Sequence, residues 1–152
     1  MMDNLYYLGN KNILTCKKTA FLCSRKCPAE VVIKSYEWAV GKKEKGECVI
    51  TGNHSKIERD IFDILLKGRQ PLILVLARCF YKKWDDKISK AINENRLLVM
   101  TPFDEKVKRI SEQTAFKRNQ VIIDNSDEVY IAYSQKGGML DKLIKENIKS
   151  GE

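Results

Sequence analysis

At 152 residues the chain suits one domain of ordinary size, and its 43% apolar content can fill a core without disulfide or metal staples. The formal net charge of +8, from 28 Lys and Arg against 20 Asp and Glu, favours polyanionic partners such as nucleic acid or nucleotides, although it equally fits an ordinary basic soluble protein. No apolar run approaches the roughly 20 residues of a membrane span. Met1–Asn10 is polar and aromatic rather than basic then apolar, so no signal peptide is expected.

Residues 1–18 read as an irregular lead-in. Thr19–Cys23 (TAFLC) is a short apolar run that suits a buried strand. Pro28 stands well for the first turn of a helix, and Val32, Tyr36 and Ala39 form its stripe up to Lys45, with Gly46 as the stop. Cys48–Thr51 is the second strand and Gly52 ends it. Ser55 can cap the next helix, where Ile57, Ile61, Ile64 and Leu65 recur at helical spacing before Gly68. Pro71–Ala77 (PLILVLA) is apolar on both faces, as a central parallel strand should be. Trp84, Ile88, Ala91 and Ile92 make a third helical stripe, and Leu97–Met100 is the fourth strand. A helix covers much of Ser111–Ile123, and Glu128–Tyr133 is the fifth strand. Gly137 and Gly138 break it, and Leu140, Leu143, Ile144 and Ile148 mark the last helix, with 149–152 as a tail.

This alternation predicts an α/β, three-layer Rossmann-like fold, with a mostly parallel sheet of about five strands and helices on both faces. It forms one domain over 19–148. Five cysteines make an odd set with no disulfide grid, and Cys23 and Cys48 read as small core residues. Cys23 and Cys27 have no second Cys pair, and His54 is the lone histidine, so no metal is expected. Reduced thiols point to the cytoplasm.

In an open parallel sheet, ligands bind at the carboxyl ends of the strands where strand order reverses. Each such end carries early Lys or Arg beside small polar donors, a composition that cradles phosphate. The candidates are Ser24 and Arg25 after the first strand, Gly52 and Asn53 after the second, and Arg118 and Asn119 ahead of the fifth. Lys136, Gly137 and Gly138 follow the fifth strand. With strand order 3-2-1-4-5, the crevice would open between the first and fourth strands. Ser24 alternatively caps the helix at Pro28, Arg118 and Asn119 alternatively form a solvated helix face, and Lys136–Gly138 alternatively form a plain turn. Phe80 and Tyr81 follow the third strand and suit base stacking, or else packing against the sheet edge. No nucleophile–base–acid set, P-loop, GxGxxG or GxSxG is present, so nothing demands an enzyme and no catalytic residue or cofactor is assigned.

The order of these pieces resembles the Rossmann-like domain of the DNA-processing protein A family (DprA, also called Smf). The matching pieces are Leu5-Tyr6-Tyr7-Leu8-Gly9-Asn10, Cys23-Ser24-Arg25, Thr51-Gly52, and Ile73-Leu74-Val75-Leu76. The last is Phe116-Lys117-Arg118-Asn119-Gln120-Val121-Ile122-Ile123, in the place of that family's Phe-x-x-Arg-Asn-Arg-Ile-Ile helix. The resemblance implies single-stranded DNA as partner, held by Arg25, Arg118 and Asn119 with Ser24 and Gly52 shaping the pocket. A homodimer is left open. The alternatives are a nucleotide-sensing module and, within the same superfamily, a lysine-decarboxylase-like (LOG) phosphoribohydrolase acting on nucleoside monophosphates. Of the latter's Pro-Gly-Gly-x-Gly-Thr-x-x-Glu signature the chain keeps Gly137 and Gly138 but has Ile144 where the glutamate belongs.

Overall fold

The computed structural model describes residues 4–151, with side chains through Asn147. Its elements run β1 (Tyr6–Gly9), a 3-10 turn (Lys11–Thr15), β2 (Lys18–Cys23), α1 (Ala29–Lys45), β3 (Cys48–Thr51) and α2 (Lys56–Leu66). There follow β4 (Leu72–Val75), α3 (Asp86–Asn93), β5 (Leu97–Thr101), α4 (Glu112–Asp124), β6 (Glu128–Tyr133) and α5 (Met139–Gly151). The strands form one sheet in the order β1-β5-β4-β3-β2-β6. All neighbours are parallel except β1, which runs antiparallel to β5 with Tyr6 opposite Thr101.

Three layers follow from which residues each strand turns to each face. Phe21, Val49, Leu72, Leu74, Leu97 and Val99 meet the stripes of α1 to α3, including Ala39, Ile61, Leu65 and Ala91. Ala20, Leu22, Ile50, Ile73, Val75, Leu98 and Met100 face the other way, onto Val121 and Ile122 of α4, Leu140 and Leu143 of α5, and Ile13 of the 3-10 turn. Burial on both faces explains why the central strands read as unbroken apolar runs.

This layering corrects the expected strand order. Connections between parallel strands are right-handed. Because α1, α2 and α3 share one face, the crossovers from β2 through β5 all step in one direction across the sheet. The α4 connection uses the opposite face and therefore steps back past β2, leaving β6 beside it. The fourth predicted strand, now β5, pairs with β4 and β1, so no crevice opens between it and the first. Order reverses instead between β2 and β6.

The lead-in is also more regular than its composition suggests. β1 extends the sheet, and its close approach to β5 needs Gly9, which has φ +105° and where a Cβ would overlap the Leu97 carbonyl oxygen. Trp84 precedes α3 rather than opening its stripe. Helix α5 takes in most of the expected tail; the side chain of Ile148, the residues Met1–Asp3 and Glu152 lie outside the described set. No helix among the described residues is long and apolar enough to cross a membrane.

Candidate functional site

The parallel strands deliver Cys23, Thr51, Val75, Thr101 and Tyr133 to one edge of the sheet. At the reversal between β2 and β6, Ser24 stitches the two strand ends together. Its N–H donates to the Tyr133 carbonyl at 2.8 Å, and its Oγ accepts from the Gln135 N–H at 2.8 Å. Helix α1 begins on Pro28 without a side-chain cap, so the helix-capping alternative for Ser24 does not hold.

Behind this stitch lies a buried ion pair. Arg118 of α4 donates through Nη2 to Glu58 Oε2 at 3.0 Å and through Nη1 to Oε1 at 3.4 Å, while its Nε donates to Asn119 Oδ1 at 3.0 Å. Both partners of the pair are about 5% exposed. Glu58 Oε1 also accepts the N–H groups of His54 at 2.9 Å and Ser55 at 3.1 Å, and Ser55 Oγ accepts the Glu58 N–H at 3.3 Å. This is a capping box on α2, so the carboxylate serves the helix N-terminus and the arginine together. Burial pushes the Glu58 carboxyl up, but Arg118 and the two backbone donors outweigh it and hold the group below its usual range. Gly52 leaves room for this: a Cβ there would overlap Arg118 Nη1 and come within 2.6 Å of Cζ. Arg118 and Asn119 are thus buried, and the solvated-face alternative fails. The sequence reading misses Glu58, although Ser55-x-x-Glu58 carries the capping-box spacing.

Arg118 separates two clefts. One, of about 280 Å³, is lined by Ser24, Arg25, Gln135, Glu112, Asn119 and Gly138 among others. Arg25 is exposed there and forms no ion pair among the described residues. The second, of about 240 Å³, lies toward β4 and includes Asn53, Tyr81, Lys83 and Trp84. His54 and Arg118 line both. Burial lowers the His54 pKa first; Glu58 opposes this, and Arg118, Arg25 and Arg59 lower it further. The imidazole is therefore neutral at neutral pH, and its surroundings are guanidinium-rich.

Tyr81 is 40% exposed, and the Arg78 guanidinium lies 4.0 Å from its ring centroid. Trp84 meets Tyr81 edge-on at 5.6 Å and Phe80 at 6.3 Å, while Phe80 is half-buried against the core. Of the predicted stacking pair, Tyr81 lines the 240 Å³ cleft and Phe80 lines neither of these two. In the Lys136–Gly138 loop, the Gly137 N–H already donates to Asp141 Oδ2 at 2.9 Å, and Asp141 pairs with Lys145 at 3.2 Å. That N–H bond, followed by Lys145, holds the Asp141 carboxyl below its usual range. The start of α5 is thus served by its own carboxylate. Of the three loop residues only Gly138 lines the 280 Å³ cleft.

No protein-family model matches the sequence, and comparison with curated protein sequences also finds no match. Solved structures do match. DNA processing protein A from Helicobacter pylori, described for its single-stranded DNA binding mode, superposes with a TM-score of 0.75 at 16% identity, over 97% of this chain and 68% of that one. DprA from Streptococcus pneumoniae superposes with a TM-score of 0.76 at 21% identity, over 97% of this chain and 52% of that one. The chain spans about half to two thirds of these proteins' length, and it carries the DprA-like, Rossmann-type fold.

Proposed function

We propose that the C-terminal edge of the sheet binds single-stranded DNA, with phosphates held in the Arg25 cleft and an unpaired base against Tyr81. The observation that carries this is Arg25 itself: an exposed guanidinium without an ion-pair partner among the described residues, at the mouth of a cleft placed where strand order reverses. The neighbouring Arg118 is committed to Glu58, which leaves Arg25 available to an anion. The Arg78–Tyr81 platform adds a ring of the kind that stacks on any base. The DprA fold supports the same reading, since the Helicobacter pylori protein of that fold is described as binding single-stranded DNA.

Fluorescence anisotropy with a labelled oligothymidylate tests it. Arg25→Ala should weaken binding about tenfold or more, because a hydrogen bond to a charged group is worth roughly 1.5–3 kcal/mol. Single strands should bind more tightly than duplex. Equal affinities for parent and variant remove Arg25 from the site, and equal affinity for duplex reduces the interaction to net-charge attraction.

The bounded 280 Å³ cleft favours a second reading, a nucleotide-sensing module, because a mononucleotide needs only one such recess. A response to salt too shallow for several phosphates, at about 0.7 log units per phosphate, would select it. A phosphoribohydrolase is the weaker enzyme alternative: the cleft offers Glu112, while Glu58 is locked by Arg118.

A further inference from the structure

The opposite edge of the sheet carries a second concentration of positive charge. A groove of about 570 Å³ runs between the end of α2 and the outer face of α3. Lys87 and Lys90 stand three residues apart on α3 and so share a face, while Lys67 and Arg69 face them from the turn after α2. Arg96 lies deeper. Its Nη1 donates to the Leu66 carbonyl and its Nη2 to the Leu65 carbonyl, both at 3.1 Å, so it closes the C-terminus of α2. Its buried Nε has no hydrogen-bond partner. Two acids, Asp63 and Glu94, stand among these five cations, and no ion pair within the groove joins any of them.

We infer that this groove is a second binding site for nucleic-acid backbone, separate from the C-terminal edge. The four outer cations are exposed Lys and Arg on flexible stems, which suits a line of phosphates rather than one shaped ligand. No aromatic side chain lines the groove, so bases have nothing to stack on and recognition is of the sugar–phosphate chain alone. By capping α2, Arg96 also cancels the negative end of that helix dipole, which would otherwise repel phosphate. Because bases are not read, an oligomer of abasic deoxyribose phosphates should bind here as well as a normal strand does.

The test follows the Gly68 and Arg69 amide signals by NMR, and oligothymidylate affinity across salt, in four proteins: parent, Lys87→Glu/Lys90→Glu, Arg25→Ala and Lys34→Glu. The lysines are exposed, so the folds should persist; Lys87→Ala/Lys90→Ala is the milder check. We expect Gly68 and Arg69 to shift with oligothymidylate and with the abasic oligomer in the parent and in Arg25→Ala, but not in Lys87→Glu/Lys90→Glu. The salt slope of that variant should be shallower by about 0.7 for each phosphate it no longer holds, with a clear fall in affinity at low salt. Unmoved amides at saturating ligand overturn the groove. So does an equal loss per reversed charge at Lys34, a site outside it. Unmoved amides with weakened Arg25→Ala leave the C-terminal edge standing without the groove. Shifted amides with unchanged Arg25→Ala affinity leave the groove standing without the edge.

Discussion

Replacing Gly52 with alanine tests the geometry on which the candidate site rests. Gly52 does not have a positive φ, so alanine meets no backbone penalty there and the cost is steric. The added methyl would overlap Arg118 Nη1 and approach Cζ to 2.6 Å. A free arginine would swing away, but this one is held by Glu58 at 3.0 Å and by Asn119 at 3.0 Å. Overpacking of this kind costs about 1–3 kcal/mol, and outright loss of one partner of a buried pair costs about 3–5 kcal/mol. We therefore expect about 3 kcal/mol from urea unfolding, or a melting temperature lower by about 2–4 °C for each kcal/mol. The decisive arm is Arg118→Ala. It should cost about 3–5 kcal/mol by itself, because it strands the buried Glu58 carboxylate. In that background Gly52→Ala should cost almost nothing, since the methyl enters vacated space. The pH dependence has a fixed sign. With Arg118 present, the Glu58 pKa is lowered, and its contribution to stability is present at neutral pH and lost as pH falls through the folded value. Without Arg118, only the His54 and Ser55 amides still oppose burial, so that pKa rises from its value in the parent, and the deficit of Arg118→Ala should shrink as pH falls and Glu58 takes up a proton. An equal Gly52→Ala cost in both backgrounds would refute the steric link.

Tyr81→Ala should weaken single-strand binding by roughly 1–3 kcal/mol in anisotropy titrations while leaving the urea midpoint near that of the parent; unchanged affinity would remove the ring from the interface. His54 should titrate higher in the complex than in the free protein, because phosphates offset the guanidiniums that help hold its pKa down. Affinity should then strengthen as pH falls through the His54 titration and stay flat well above it, and an NMR titration of the imidazole showing no shift on binding would count against phosphate near Arg25. Gly9→Ala should cost more than about 1 kcal/mol in urea unfolding, since φ +105° and the Leu97 carbonyl both oppose a side chain.

Much of the architecture is legible in the sequence because each of the five parallel strands carries its own signature. The apolar runs at Cys48–Thr51 and Glu128–Tyr133 coincide with β3 and β6, and Gly46 closes α1 in a left-handed conformation at φ 71°. Ser55 caps α2 and Ser111 caps α4. Strand order is not legible, because it depends on which face each helix covers, and an apolar stripe reads the same on either face. β1 escapes the sequence for a related reason: four residues with a half-buried pattern gain stability only from pairing with β5, which is distant along the chain. At the site, residue type identifies where charge gathers but not which charges are already committed. Arg25 and Arg118 look alike in a sequence; only the fold shows that Glu58 holds one of them.

That difference divides the roles at the edge. Arg118 reaches from α4, on one face of the sheet, to the first turn of α2, on the other, and Glu58 grips the His54 and Ser55 amides in the same network. The pair therefore fixes the turn after β3 against α4 and keeps the two clefts apart, while Arg25 and Tyr81 remain exposed to meet a ligand. Loss of binding in an Arg118 variant would follow from loosening of this wall even if the guanidinium never touches a phosphate. Loss in an Arg25 variant has no such route, because Arg25 is bound to neither the wall nor the core. Comparing the two variants at matched fractions folded separates the residue that shapes the edge from the residue that holds the ligand. If Arg118→Ala retains full affinity per folded molecule while Arg25→Ala does not, the buried arginine serves the stability of the edge and neither holds nor positions the ligand.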